Sequence, residues 1–242
     1  MVRLRIATYN VHKCRGIDGR TQPLRIASVL HHLKVDVVAL QEVIGHGPKG
    51  RGQEEEIGHR LNMTSLLAPA RLFRGHLYGN AFLARLPVEH HVTYDLSEGD
   101  CEPRYCQRVD LALGNQSVHI YNVHLGTSRA ERSLQAERLI QILEDAKVRG
   151  PKIVLGDFNE WRKGPATKLL CGKLESLDLG PFLKWRRTFP GIFPVFHLDH
   201  IYYAGAVEFV KVEVPRRWLS FVASDHVPLV AEVRIRGKGG SH

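Results

Sequence analysis

Short runs of Val, Ile and Leu recur along the whole chain, separated by helical patterns and by loops. Several of these runs are almost continuously apolar, which is typical of strands that are covered on both faces. With 242 residues, the chain is long enough to bury a large core without disulfide bridges. The predicted strands are residues 4–9, 35–40, 81–83, 109–113, 118–123, 153–155, 201–203, 207–212 and 229–235.

Helical periodicity separates several of the strands. Residues 23–33 begin with Pro23, which suits a first helical turn, and Ile26, Val29 and Leu30 form one apolar stripe. Further helices are predicted at residues 54–61, 128–148 and 165–170. Loops rich in Gly, Pro and charge are predicted at residues 45–52 and 97–108.

Many strands, few helices and the lack of a linker predict a single α/β domain over residues 1–236. In this interpretation two sheets pack face to face as a β-sandwich core, and the helices flank them. Periodicity alone also allows a mixed α/β fold with a single sheet. The tail, residues 237–242, is predicted to be disordered.

The net charge of +9 favours polyanionic partners, namely nucleic acid, anionic lipid or phosphorylated small molecules. A solvated basic surface without a partner is the alternative. No apolar run is long enough to span a membrane, and the first residues lack a signal-peptide pattern, so a soluble cytoplasmic protein is predicted. The spacing of the four cysteines is not that of a zinc site.

Polar residues that can carry chemistry follow the predicted strands. Asn10, Glu42, His124 and Asp157 each come directly at or after the end of an apolar run. A carboxylate that closes a buried strand is costly unless a cation neutralises it. Mg²⁺ prefers one or two carboxylates completed by water and phosphate oxygens. These residues therefore indicate a metal site, although an ion pair at the sheet edge would also account for Glu42.

Two further features extend the pattern. Asp157 and Asn159 are two residues apart and would point the same way in an extended chain. Asp199 and Asp225 are each followed by a histidine, and a carboxylate can orient an imidazole. Each such pair is weak evidence alone.

Taken together, the motifs resemble those of the endonuclease/exonuclease/phosphatase superfamily, the group built on the DNase I fold. The resemblance spans nearly the whole chain, in family order. The matching motifs are T-Y-N-V-H at residues 8–12, L-Q-E-V at 40–43, N-V-H-L at 122–125, G-D-F-N at 156–159, L-D-H-I at 198–201 and S-D-H-V-P-L at 224–229. Segments 16–20, 78–85 and 102–104 look like features of the bacterial members without an assigned activity.

This resemblance implies a DNase I-like four-layer fold and a divalent cation, Mg²⁺ or Mn²⁺. It implies that Asn10 and Glu42 form the metal site, with Asp225 as a further acidic residue near the metal. Asp157 is expected to orient or deprotonate the attacking water. Asn159 is expected to hold the phosphate or the nucleophile.

The resemblance also implies roles around the phosphate. His226 is expected to contact the phosphate, with Asp199 as its carboxylate partner. His124 is expected on the side of the leaving group. Arg104 and Asn80 are expected to bind substrate, and the alternative for Arg104 is an ordinary surface arginine.

The implied function is metal-dependent hydrolysis of phosphodiester bonds, in nucleic acid and above all DNA, since the basic charge favours a phosphate backbone. The alternative is a phospholipid, phosphoinositide or sphingomyelin phosphodiesterase, because residues 179–196 carry an aromatic cluster that would suit contact with an anionic lipid surface. Those rings would otherwise belong to the core. They are Phe182, Trp185, Phe189, Phe193 and Phe196.

A minor alternative is a non-catalytic binding module, which the complete set of motif residues disfavours. The oligomeric state is left open by the sequence.

Overall fold

The computed structural model describes residues 1–48, 50–162, 164–176, 187–191 and 193–236. Within these residues the chain forms two six-stranded sheets and five α-helices. The first sheet contains β1 (Val2–Asn10), β2 (Val37–Ile44), β3 (Thr64–Phe73), β4 (His76–Ala84), β11 (Val207–Glu213) and β12 (Leu229–Ile235). The second contains β5 (Val88–Asp95), β6 (Tyr105–Leu113), β7 (Gln116–His124), β8 (Lys152–Asp157), β9 (Glu175–Ser176) and β10 (Asp199–Ala204).

The helices are α1 (Pro23–Leu33), α2 (Gln53–Leu61), α3 (Arg129–Leu143), α4 (Pro165–Cys171) and α5 (Trp218–Ala223), and a short 3₁₀ turn spans His12–Cys14. Strand order is β11-β12-β1-β2-β4-β3 in the first sheet and β5-β6-β7-β8-β10-β9 in the second. Each sheet has one parallel pair near its middle, β1 with β2 and β7 with β8, and the other pairs are antiparallel. The carboxyl ends of each parallel pair therefore meet at one edge of their sheet.

The core explains the layering. Side chains such as Ile6 and Phe82 of the first sheet pack against Val109 and Ile153 of the second in one buried cluster. A second cluster packs α1 and α2 on the outer face of the first sheet, and a third packs α3 and α4 on the outer face of the second. Helices, sheet, sheet and helices thus form four layers, which confirms the predicted sandwich and excludes the single-sheet alternative.

Every predicted strand overlaps a strand of the structure, and α1 has the predicted bounds. The strand predicted over residues 35–40 is wrong at its start, because β2 begins at Val37. The strands β3, β5 and β9 and helix α5 were not predicted. The loop predicted over residues 97–108 is wrong after position 104, because β6 begins at Tyr105.

The helix predicted over residues 128–148 is wrong at its end. It stops at Leu143, where Asp145 accepts a hydrogen bond from the backbone of Lys147 and starts a turn. Residues 237–242, predicted to be a disordered tail, lie outside the described residues. Among the helices of the described segments, none has the length and apolar character needed to cross a membrane.

Candidate active site

The polar residues that follow the strands meet at one edge of the sandwich. β1 ends at Asn10, β7 at His124 and β8 at Asp157. In the second sheet Asp157 lies opposite both His124 and Asp199 in the strand register. Since the two sheets pack face to face, this edge collects side chains from both of them.

Asn10 joins the two sheets at the centre of this site. Its side chain is buried, and its amide nitrogen donates to Glu42 Oε1 at 3.1 Å and to Asp157 Oδ2 at 3.0 Å. Its amide oxygen accepts the backbone N–H of His12 at 3.0 Å. Asn10 therefore separates two carboxylates that would otherwise repel each other.

Glu42 owes its position to an irregularity in β2. The pairing of β2 with β4 shifts register between Leu40 and Val43, and Glu42 has a left-handed backbone with φ of 58°. The Lys13 ammonium donates to Glu42 Oε2 at 2.6 Å. Burial would raise the pKa of Glu42, but His124, Lys13 and Asn10 hold it at about 2. Glu42 is therefore an anion at neutral pH.

Asp225 lies at the more open side of the same site. Its Oδ2 is 3.2 Å from His12 Nδ1, and that nitrogen is also 3.8 Å from Glu42 Oε2. The Ser224 hydroxyl, buried below it, donates to the backbone oxygen of Asn10 at 2.8 Å. The hydrogen bond ties the segment before β12 to the end of β1.

His226 and Asp199 form a buried pair beside Asp157. His226 Nδ1 donates to Asp199 Oδ2 at 3.1 Å, and its Nε2 lies 3.6 Å from Asp157 Oδ2. Burial opposes a charged imidazole, but Asp199 and Asp157 together raise the pKa of His226 to about 10. His226 is therefore an imidazolium that faces the centre of the site.

His124 has the opposite character. Its Nε2 is 3.8 Å from Asp157 Oδ2, and its Nδ1 accepts from Arg104 Nη1 at 3.3 Å. Burial and the positive charge of Arg104 lower the pKa of His124 to about 4, so the ring is neutral at pH 7. With Nδ1 as acceptor, Nε2 carries the proton and points towards Asp157.

Arg104 is not an ordinary surface arginine, because only 8% of it is exposed. It also pairs with Glu102 at 2.9 Å. Arg104, Glu42, His124 and Asn80 line one small pocket, in which the Asn80 amide donates to the backbone of Tyr105 at 3.1 Å. The two expected substrate-binding residues therefore adjoin the expected metal residue.

Asn159 does not continue the extended chain of β8. Its backbone is left-handed with φ of 51°, so the expected alignment of its side chain with that of Asp157 is wrong. Its amide donates to the backbone oxygen of Leu125 at 2.8 Å, and its own N–H donates to Asp157 Oδ1 at 2.9 Å. Asn159 therefore fixes the Asp157 carboxylate and the loop after β7.

A buried polar network below the site escaped the sequence reasoning. Gln41 donates to Asn122 Oδ1 at 2.8 Å and to the Thr8 hydroxyl at 3.1 Å. Asn122 donates to the backbone oxygens of Leu40 and Ala81, in the other sheet. Both amides lie inside quoted motifs, and an uncharged polar residue in an apolar strand was the available signal. Lys13, three residues after Asn10, was missed as well.

The residues present fit a divalent cation. Glu42 already binds one cationic group, the Lys13 ammonium, so its carboxylate can accept a cation as partner. His12 lies between Glu42 and Asp225, so the two carboxylates are close to the same place. Among the described residues no cluster of three or more His, Cys, Asp or Glu side chains forms a complete metal cage. A hard ion such as Mg²⁺ needs only one or two carboxylates, with water and phosphate oxygens as its other ligands.

The sequence profile of the Endonuclease/Exonuclease/phosphatase family matches residues 7–226. YbhP of Escherichia coli (strain K12), an uncharacterized protein, is 30% identical over 247 aligned positions, and the match covers 96% of each chain. The crystal structure of an endonuclease/exonuclease/phosphatase from Beutenbergia cavernae aligns with a TM-score of 0.75 at 22% identity, over 100% of this chain and 74% of that one. A family protein from Bacteroides vulgatus aligns with a TM-score of 0.81 at 17% identity, over 98% and 100% of the two chains.

Proposed function

This chain belongs to the endonuclease/exonuclease/phosphatase family, and we propose that it hydrolyses phosphodiester bonds with the help of Mg²⁺ or Mn²⁺. The family is one of hydrolases that act on phosphoester bonds. One observation carries the proposal. Glu42, Asn10, Asp157, His226 and Asp199 form an unbroken chain of polar contacts of 3.6 Å or less across the two sheets.

This row of contacts combines an anionic carboxylate, Asp157, with a cationic imidazole, His226, and the combination suits attack on a phosphate. Asp157 is fixed by Asn10 and by the Asn159 backbone, so it is positioned to orient a water molecule for in-line attack. The His226 imidazolium, held by Asp199, offers a positive N–H to the phosphate oxygens as charge develops on them.

The metal residues and His124 act on the other side of the phosphate in this proposal. Glu42, with Asn10 and Asp225 nearby, would hold a divalent cation, and that cation would polarise the phosphoryl group and neutralise negative charge. His124, being neutral, donates a hydrogen bond through Nε2 and would steady the leaving oxygen. Arg104 keeps His124 in that tautomer and presents further positive charge.

Nucleic acid, and DNA first, is the proposed substrate, because the net charge of +9 favours a phosphate backbone. Ion pairs neutralise part of this charge. Arg71 and Arg104 both pair with Glu102, and Arg108 pairs with Asp110. Arg15 and Arg162 each follow a motif, residues 8–12 and 156–159, by three residues, and with Arg20 they are the candidates for contact with the phosphate backbone. Lys163 and Arg186, which also contribute to the net positive charge, lie outside the described residues.

The test is hydrolysis of a panel that contains single- and double-stranded DNA, RNA, sphingomyelin, a phosphoinositide and a phosphomonoester. Each is assayed with Mg²⁺ and with Mn²⁺. We expect DNA to be cleaved best, and binding to weaken steeply between roughly 50 and 200 mM salt. Efficient lipid hydrolysis without any cleavage of nucleic acid at low salt would refute the substrate proposal and keep the proposed chemistry.

A phospholipid is the second candidate, and one observation favours it. Phe193 is 75% exposed, whereas Phe189 packs on His226 with 4.9 Å between ring centroids. An exposed ring so close in sequence to one that touches the site would suit contact with a bilayer. Phe182 and Trp185, which belong to the same predicted cluster, lie outside the described residues.

A further inference from the structure

A further cleft is lined in part by residues that follow Asp157 closely in the sequence. It lies between the first turn of α3 and the loop before α4, and it has about 300 Å³ of space, within the usual range for small-molecule sites. Trp161 and Arg129 both line it. We call it the Trp161 cleft; Glu160, Arg132 and Arg162 also line it.

Trp161 is an open but supported aromatic surface. The side chain is 51% exposed, which is unusual for a ring of this size. Phe196 packs edge-on against it, with 4.9 Å between ring centroids, and the Arg162 guanidinium lies 4.5 Å from the ring centroid. A ring that is held in place and still exposed is suited to stacking on a flat ligand.

The floor of the cleft carries a buried ion pair, Arg132 with Glu160, whose two facing atoms make no hydrogen bond to any described residue. Glu160 is 4% exposed and Arg132 is 9% exposed. In the described part of the chain, Glu160 Oε1 and Arg132 Nε are buried without a hydrogen bond, and they lie 3.7 Å apart. The other oxygen of Glu160 already accepts from the backbone and hydroxyl of Thr167. Buried polar atoms usually have a hydrogen-bond partner. A ligand with an N–H beside an acceptor could donate to Glu160 Oε1 and accept from Arg132 Nε.

The rim is positive. Arg129 and Arg162 line the cleft, and within the described residues neither forms an ion pair with a carboxylate. The Arg162 guanidinium lies over the Trp161 ring, so the two arginines keep a positive charge here that can attract a phosphate. An aromatic wall, a donor beside an acceptor, and a cationic rim together match a nucleotide. Every nucleobase has a flat face and presents a donor next to an acceptor on its pairing edge.

The cleft is connected to the proposed catalytic centre through the loop after β7. Arg132 donates to the backbone oxygens of Gly126 and Thr127. The preceding residue, Leu125, donates its N–H to the backbone oxygen of Asp157 at 2.9 Å. Glu160 and Trp161 follow Asp157 by only three and four residues.

We propose that the Trp161 cleft binds one nucleobase next to the scissile phosphate. The base stacks on Trp161, its edge bonds to Glu160 and Arg132, and its phosphate lies at the arginine rim. This inference rests on the proposed function, because it names the substrate part that one side of the site recognises.

The test is calorimetric titration of the full chain with the four nucleoside 5′-monophosphates and with ribose 5-phosphate, which lacks a base. We expect at least one nucleotide to bind about tenfold more tightly than ribose 5-phosphate. Trp161→Ala should remove that difference, and Trp161→Phe should keep most of it. Trp218→Ala is the matched control, because Trp218 is 72% exposed and does not line the cleft.

Three outcomes would overturn the nucleobase assignment: equal binding of nucleotides and ribose 5-phosphate, nucleotide binding that ignores Trp161→Ala, or a loss in Trp161→Ala confined to binding of anionic phospholipid vesicles. Hydrolysis of bis(p-nitrophenyl) phosphate by the unaltered chain is measured in parallel. Hydrolysis without base-dependent binding leaves the proposed chemistry intact and excludes the cleft as a nucleobase-binding site. Trp161-dependent nucleotide binding without hydrolysis of any phosphoester supports the cleft and removes the proposed activity.

Discussion

Asn122→Ala tests whether the buried amide network connects the two sheets energetically. Asn122 is fully buried in β7, and its side chain makes four hydrogen-bond contacts. Its two N–H groups lie within hydrogen-bond distance of three acceptors, so one N–H is shared between two of them. The acceptors are Leu40 O at 3.0 Å, Ala81 O at 2.9 Å and Gln107 Oε1 at 3.2 Å. The side-chain oxygen of Asn122 accepts from Gln41 at 2.8 Å. The first two bonds cross from the second sheet to the first.

The magnitude follows from those four bonds. A hydrogen bond contributes about 1 kcal/mol net, and a buried group left without its partner costs about 1–3 kcal/mol. We expect Asn122→Ala to lower the free energy of unfolding by about 4 kcal/mol. For a chain of this size that corresponds to a fall in Tm of roughly 8–16 °C.

The assay is urea unfolding followed by circular dichroism, with a thermal scan of the same samples. Asn115→Ala is the matched control, because Asn115 is exposed in the turn between β6 and β7. Asn122→Asp keeps the volume of the side chain but replaces the donor with a carboxylate, so it should cost at least as much at pH 8. A loss below about 1 kcal/mol, or one equal to that of Asn115→Ala, would refute the reasoning.

Three further predictions concern the site and a buried carboxylate. Chelation with EDTA should abolish hydrolysis, and Mg²⁺ or Mn²⁺ should restore it; full activity in excess chelator would contradict the metal assignment. Alanine at each of three motif residues should lower kcat about 10²-fold or more without unfolding the chain, while His31→Ala or His90→Ala should have little effect, and equal losses would show that the site lies elsewhere. The three are Glu42, Asp157 and His226. Burial raises the pKa of Glu54 from 4.5 to about 7, so the folded protein loses stability as pH rises between these values, where only the unfolded chain ionises. Glu54→Gln should therefore stabilise the protein by about 1–3 kcal/mol at pH 8, and the gain should vanish below pH 4.5 in denaturant titrations; the same gain at both pH values would exclude an ionisation effect.

The central strands could be predicted because they are short, apolar and buried on both faces. The edge strands could not. β3 contains Pro69 and Arg71, and its residues are mostly half-exposed, so neither alternation nor a continuous apolar run marks it. β5 likewise lies at the edge of its sheet and exposes most of its residues. Their strand character comes from pairing with distant residues, which local periodicity does not report.

The site residues could be placed at strand ends from the sequence, but their relations could not. The family resemblance pairs His226 with Asp199, and only the fold shows that Asp157 lies at the other nitrogen of the same ring, so that His226 stands between two carboxylates. Lys13 carries no signal of its own, because a lysine after a strand is usually a solvated side chain. The bulge that turns Glu42 inward depends on the β4 partner strand, so it is also invisible in the motif.

The left-handed backbone of Glu42 has a consequence for laboratory evolution of this protein. A glycine at position 42 would relieve a conformational penalty of about 1 kcal/mol. It would also remove the hydrogen bonds that Glu42 accepts from Lys13 and Asn10. Burial opposes the charge of Glu42, yet its surroundings hold its pKa at about 2, so the ionised side chain stabilises the folded protein at neutral pH by more than the backbone would gain from glycine. Libraries selected for heat resistance alone would therefore retain Glu42 without any selection for turnover, so its retention in them is no measure of catalysis.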